Sequence, residues 1–285
     1  MNLYSVLISV YYKESPEFLR QAIDSMLAQT VAPDEVVLVC DGPMTPGLDQ
    51  VILSFQEQCG DRLQVLRLQT NMGLGNALNR GIRMCRNEWI ARMDSDDISL
   101  PDRMEKQLAY ISSHPEVSVL GGQIVEFEKD PGCPVDMRSV PLQMPQIRET
   151  LRFKNPLNHV TIFYRKSAVL AAGNYEDYPG FEDYQLWARM LAQGYQMANL
   201  KDCLCQVRIG SEMYRRRGGW SFFKNTYRMQ RFLLGQKLIT VVQFLRNLLI
   251  RFAAAALPNR LRGAMFRKVM RKEVGDGCET EGAHI

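Results

Sequence analysis

The chain has 285 residues, 46% of them hydrophobic, enough for a large core in one big domain or a domain with an appendage. Its seven cysteines are an odd number with no C-x-x-C pair, so they read as buried free thiols in a reducing compartment and not as a disulfide framework. The net charge of +4 hides an asymmetry: residues 1–200 sum to −7, residues 201–272 hold 17 basic and 2 acidic side chains, and the tail 273–285 sums to −4.

LYSVLISV (3–10) is an unbroken apolar run of strand length. It reads as a first core strand and not as a signal peptide, because it lacks a basic n-region and a cleavage site. SPEFLRQAIDSMLAQ (15–29) is expected to be helical, with Ser15 as N-cap and Pro16 at the first helical position. DEVVLVCDG (34–42) is a second buried strand. A helix over 46–58 leads to a third strand, LQVLRL (63–68). GNALNRGIRMCR (75–86) is helical and EWIARM (88–93) is a fourth strand. Strands alternating with helices predict a parallel sheet covered on both faces, and the Val/Ile/Leu runs agree with burial on both sides. Beyond residue 100 the reading is a helix over 101–114, a long strand over 117–128 bent at Gly121-Gly122, a strand over 159–165, a helix over 181–194 and a last strand over 203–209.

Ligands of an open α/β sheet collect at the carboxyl ends of its strands. Here those ends carry Val10-Tyr11-Tyr12, Asp41-Gly42, QTNMGLG (69–75) and Asp94-Ser95-Asp96-Asp97. Like charges this close need a positive partner. Asp94 and Asp96, one residue apart after a strand, suit a hard cation that shares its shell with a substrate phosphate. The competing reading is that Asp97 or Ser99 caps the helix near Pro101, which accounts for one of these residues. NMGLGNALNRGI (71–82) resembles a phosphate loop without the dinucleotide fingerprint, since Leu78 stands where the third glycine belongs. Its role is to place Asn71 and Gly73 near a nucleotide, with Arg80 or Arg83 on the helix behind. Glu182 and Asp183 begin an amphipathic helix, which either reflects favourable placement of acids at a helix start or holds a catalytic carboxylate ionised. His159 reads as a hydrogen-bonded structural residue. No G-x-S-x-G or H-E-x-x-H motif is present, so those hydrolase mechanisms lack their parts.

In order and spacing, SVLISVYYKE, VVLVCDG, NMGLGNALNRGI, MDSDD and FEDYQLWARM resemble the family-two glycosyltransferases of bacteria. The resemblance covers residues 3–210. It implies the GT-A fold, an α/β Rossmann-like and mainly parallel sheet with flanking helices: a nucleotide-binding half (1–100) joined to an acceptor-binding half (101–210). It also implies a nucleotide-sugar site of Val10, Tyr11, Asp41, Asn71, Gly73, Asp94 and Ser95. Val10 and Tyr11 would flank the base, Asp41 would hydrogen-bond it and Asp94 would touch the ribose. A Mn2+ or Mg2+ ion would sit on Asp96 and Asp94, and Asp183 or Glu182 would be the general base of an inverting transfer to a saccharide or lipid-linked acceptor. The Q-x-x-R-W motif of processive members is absent, which implies transfer of a single sugar. The family often has two acids where this chain has Cys40-Asp41-Gly42. A nucleotidyltransferase making a nucleotide sugar is the rival reading, but VYYKESPEF lacks the Gly-rich basic loop it needs. A non-enzymatic membrane-surface protein leaves the acids at the strand ends unexplained, and the acidic 1–200 region argues against nucleic acid.

Residues 211–272 read as a basic, amphipathic helical region that associates with an anionic membrane, and 273–285 as a polar, disordered tail. QKLITVVQFLRNLLIRFAAAALP (236–258) is apolar, but Arg246 and Arg251 would each cost about 2.5–3.5 kcal/mol at the centre of a span. Gln236, Thr240, Gln243, Asn247 and Arg251 form one polar stripe, as in a helix lying in the interface. The expectation is a peripheral protein at the cytoplasmic face of a bacterial inner membrane. The bland alternative is a helix packed on the catalytic domain or at a dimer interface.

Overall fold

The computed structural model describes residues 3–210 and 219–256. One mixed sheet organises them. Its strands are β1 (Tyr4–Val10), β2 (Glu35–Cys40), β3 (Leu63–Arg67), β4 (Trp89–Asp94), β5 (Ile98–Ser99), β6 (Val117–Phe127), β7 (Pro134–Arg138), β8 (Phe163–Arg165) and β9 (Gln196–Arg208). They lie in the order β3-β2-β1-β4-β8-β6-β9-β5, with β7 beside β6. The first four are mutually parallel, so their carboxyl ends share one edge. β8 runs antiparallel to both β4 and β6, whereas β9 runs parallel to β6.

The apolar runs are buried on both faces, as their composition requires. Along β1, Leu7 enters one core while Val6, Ile8 and Val10 enter the other. The second core is closed by α1 (Pro16–Leu27), α2 (Pro46–Cys59) and α4 (Arg103–Ser113). The first is closed by α3 (Leu74–Met84), α5 (Met144–Leu151), α6 (Lys166–Ala171) and α7 (Glu182–Ala192), and by α8 (Gly219–Gly235) through Met229 and Leu233. A last helix, α9 (Val241–Ala256), folds back along α8.

Several expected elements shift. The expected strand over 159–165 begins as a single 3-10 turn at His159–Thr161, and only Phe163–Arg165 pairs. The last strand starts seven residues before Cys203, because Met197–Asn199 continue the pairing with β6. The bend at Gly121-Gly122 is present as a shift in that pairing. Ser15 occupies the N-cap of α1 without a side-chain bond; its amide donates to Glu14 Oε1 at 2.8 Å. Five of the cysteines are buried thiols, Cys133 is exposed, and Cys278 lies outside the described residues, as does the tail 273–285.

Candidate active site

The edge at the carboxyl ends of β1–β4 is built by short polar contacts. Asp41, just past β2, is buried, and its two carboxylate oxygens accept the amides of Met72 at 2.7 Å and Gly73 at 2.9 Å. It thereby fixes the turn that opens α3, while Asn71 Nδ2 donates to the Asp41 carbonyl at 3.2 Å. Gly42 makes this packing possible: its φ is +95°, and a Cβ there would lie 2.8 Å from the Asn71 amide nitrogen. Asn71 and Gly73 stay exposed at the edge. Val10 is buried; Tyr11, half-buried, meets exposed Tyr12 edge-on with ring centroids 5.9 Å apart. Arg80 and Arg83 are exposed, and Arg83 donates to Asn79 on its own helix.

The four residues after Met93 divide their tasks. Asp94 is gripped by both terminal nitrogens of Arg92, a buried arginine two positions earlier on the same strand. Ser95 donates to Glu14 Oε2 at 2.9 Å, which brings a further carboxylate to the cluster. Asp97 is buried and accepts the Arg208 amide at 2.8 Å, tying β9 to this loop. It does not cap α4, and neither does Ser99, whose amide donates to Ser25 Oγ; the N-cap residue is Asp102. Asp96 is left without a salt bridge among the described residues. Burial, then Asp94, then Glu14 push its carboxyl up to about 7. Burial together with Asp96 and Asp94 holds Asp97 well above the carboxylate range.

Glu182 and Asp183 open α7 across from this cluster. Asp183 Oδ2 accepts Asn155 Nδ2 at 2.5 Å, and Oδ1 accepts the Tyr184 amide at 2.7 Å. Burial raises its carboxyl, opposed by those two donors and by Arg92. Burial pushes Glu182 up to about 7, opposed by backbone amides. Gly75 on α3 lets the helices meet: a Cβ there would fall 2.6 Å from the Glu176 carbonyl and 3.1 Å from Glu182 Cγ. Arg92 is the hub. Asp94 and Asp183 stabilise its charge against burial. His159, half-buried, meets the Tyr175 hydroxyl through Nε2 at 2.8 Å. The larger surface cavity, about 520 Å3 and lined by Leu3, Ala32, Asp34 and Arg62, lies at the amino ends of the strands, away from these groups.

The sequence profile of glycosyl transferase family 2 matches residues 5–176. The chain belongs to that family. An uncharacterized glycosyltransferase of Haemophilus influenzae is 42% identical, over 94% of this chain and 99% of its own. The amylovoran biosynthesis glycosyltransferase AmsE of Erwinia amylovora is 38% identical, over 93% and 98%. The Escherichia coli UDP-Gal:alpha-D-GlcNAc-diphosphoundecaprenol beta-1,3-galactosyltransferase is 33% identical, over 94% and 97%. Among solved structures, S. aureus TarS 1–349 in complex with UDP-GlcNAc aligns with a TM-score of 0.66 at 18% identity, over 95% of this chain and 76% of that one. The mannosyltransferase PcManGT from Pyrobaculum calidifontis, in complex with GDP-Man and Mn2+, aligns with a TM-score of 0.62 at 15% identity, over the same shares. The fold is therefore GT-A, and the chain is a glycosyltransferase; the nucleotidyltransferase and non-enzymatic readings fall.

In this family-two enzyme the donor chemistry at Asp94 and Asp96 fits a divalent ion. Carboxylate oxygens are hard ligands, and Asp96 carries a charge that no side-chain cation neutralises directly. Among the described residues no group of three His, Cys, Asp or Glu encloses a metal by itself, so phosphate and water oxygens would complete the shell. The cluster also has a protein cation, Arg92, which the sequence reading passed over. Its signal was present: a charged residue inside an otherwise apolar strand, two positions before Asp94 and hence on the same face. Glu14, Asn155 and Arg208 were missed as well, because each reaches the site from a distant element.

Proposed function

We propose that this enzyme moves one sugar from a UDP- or GDP-sugar to a hydroxyl of a saccharide or lipid-linked acceptor, with inversion, in the synthesis of a surface polysaccharide. The single observation that carries this reading is the convergence of two acidic groups on Arg92: Asp94, with Asp96 beside it, from the nucleotide half, and Asp183 from the acceptor half. The relatives in amylovoran synthesis and on a diphosphoundecaprenol acceptor, and the structural neighbours with UDP- and GDP-sugars, support the substrate classes.

Val10 and Tyr11 flank the base and Asp41 reaches it. Asp41 does so with lone pairs left over from its two amide bonds, since each carboxylate oxygen can accept more than one donor. Asn71, Gly73, Asp94 and Ser95 hold the ribose and phosphates. Asp96 and Asp94 would hold Mn2+ or Mg2+, which would supply positive charge to the leaving nucleoside diphosphate. Asp183 takes the proton of the acceptor hydroxyl as that oxygen attacks the anomeric carbon. The Asn155 and Tyr184 donors hold the Asp183 carboxylate in place and favour its ionised form against the burial that raises both acids. On that geometry Asp183 is the base and Glu182 the alternative. The acceptor lipid places the enzyme at the cytoplasmic face of the inner membrane, held there peripherally through residues 211–272.

The test is thermal unfolding with UDP, GDP and other nucleotides, each with and without Mn2+. One nucleoside diphosphate should raise Tm only when Mn2+ is present, and Asp96→Ala should remove that rise. An unchanged metal-dependent rise in Asp96→Ala would sink the metal assignment.

A further inference from the structure

α9 inverts the arrangement expected of a helix at a protein surface. Its polar stripe faces inward. Asn247 is fully buried, with Nδ2 donating to the Arg152 carbonyl and to Gln230 Oε1, both at 2.9 Å. Arg251 Nη2 donates to the Phe153 carbonyl at 2.7 Å. Gln243 and Thr240 bond each other at the amino end of the helix. The apolar residues face out: Val242, Leu245, Leu249 and Phe252 are 76, 60, 70 and 54% exposed. Spaced by three and four, they line one side of the helix. Among the described residues no helix is long and apolar enough to cross a membrane.

Phe223, near the start of α8, meets Phe252, near the end of α9, with ring centroids 5.5 Å apart. The two helices are thus antiparallel, and the chain enters α8 and leaves α9 at the same end. The sequence at that end is basic on both sides, with arginines at 215, 216 and 217 before α8 and six lysines and arginines between 260 and 272 after α9. An apolar stripe beside concentrated positive charge is complementary to an anionic bilayer.

We propose that the outward face of α9 seats in the headgroup–acyl boundary of an anionic membrane. This rests on the membrane-bound acceptor of the proposed function and names the surface that meets it. The hairpin joins that surface to the active site. Phe222 stacks on Phe181 at 5.7 Å, Arg228 lies over the Tyr178 ring at 3.9 Å, and Arg228 Nη1 donates to the Asp177 carbonyl at 2.9 Å. Residues 177–181 lead directly into Glu182 and Asp183, so docking α9 also sets the position of the acceptor side of the site.

The experiment is flotation of the full chain with phosphatidylcholine vesicles and with vesicles that also contain phosphatidylglycerol. Wild type should favour the anionic vesicles by about tenfold or more, less so in high salt. Leu245→Glu combined with Leu249→Glu should lower that binding about tenfold or more while leaving Tm and the Mn2+-dependent nucleotide response unchanged. Leu249→Ser alone, with a severalfold loss, reads the same face should the double variant fold poorly. Binding by either variant equal to wild type overturns the proposal. So does a wild-type dimer, dissolved by Leu249→Ser, that ignores vesicles, because the face then belongs to a second copy. Vesicle binding that responds to these variants in a chain with no nucleotide response would leave the docking surface standing and sink the proposed function.

Discussion

The edge at β1–β4 and the α8–α9 hairpin use polar residues in opposite ways. At the edge, apolar positions turn inward and polar ones face out; along α3, Ala77, Leu78 and Ile82 are buried while Arg80 and Arg83 are exposed. In α9 the polar Asn247 and Arg251 turn inward and hold the helix to the catalytic part by donating to the carbonyls of Arg152 and Phe153 at the end of α5. Both helices show a period near 3.6. A period reveals that two faces differ; which one points inward depends on what the neighbouring element needs, here acceptors that want donors.

The largest expected effect lies at the edge. Asp183→Asn should leave Mn2+-dependent nucleotide binding intact and lower turnover about 10²–10⁴-fold, read by single-sugar transfer assays. Full turnover in that variant, together with loss in Glu182→Gln, would move the base to Glu182. Next is Arg92→Met, which removes the cation on which Asp94 and Asp183 converge and leaves Asp94 unpaired. A loss of about 3–5 kcal/mol by denaturant unfolding is expected, with Arg92→Lys intermediate. A loss under about 1 kcal/mol in Arg92→Met would mean that the acids are not held by this charge.

The pH profile separates the two regions further. Asp96 and Glu182 both have folded-state carboxyls raised to about 7, above their ordinary values of 3.8 and 4.5. Between those values the folded state binds more protons than the unfolded state, so unliganded stability should fall as pH rises through this window. The slope is about 1.4 kcal/mol per pH unit for each group fully inside the window, and Asp96→Asn with Glu182→Gln should make it shallower, leaving the part due to Asp97 and Asp183. A flat wild-type profile between the carboxylate range and neutrality would contradict their burial.

In the hairpin the effects are smaller and of opposite sense for polar and apolar residues. Asn247→Ala strands the Arg152 carbonyl and Gln230 and should cost about 1–3 kcal/mol by thermal or urea unfolding. Leu249→Ser, on the outward face, should change stability by no more than about 0.5 kcal/mol. The reverse ranking would mean that α9 is turned the other way in solution.

Much of the first hundred residues was legible. Seven apolar or amphipathic runs were placed within a few residues, because strands buried on both faces and helices closing them leave strong periodic signals. The acids at the strand ends were legible for the same reason: charge that follows an apolar strand stands out. Less of residues 130–210 was visible. β7, α5 and α6 are short, as is the two-residue β5 before them, whose partner β9 lies far off in the chain. α8 falls inside the region expected to be helical, but its bounds were not legible, because its mixed face, with buried Thr226 and Gln230, packs partly through hydrogen bonds.

By itself, then, the sequence determined the β-α-β frame, the shared edge and the residue types gathered on it. Those follow from local hydrophobic period and from the rule that parallel strands end together. Only the tertiary structure decided that the positive partner of Asp94 is Arg92, that Asp97 serves β9 and caps no helix, and that Asp41 clamps the turn before α3. Only the structure, too, turned the polar stripe of α9 inward. Each of these is a choice among partners 2 to 111 residues apart along the chain. Charge and hydrogen bonding act through space over a few ångströms, so no local pattern in the sequence records which partner wins.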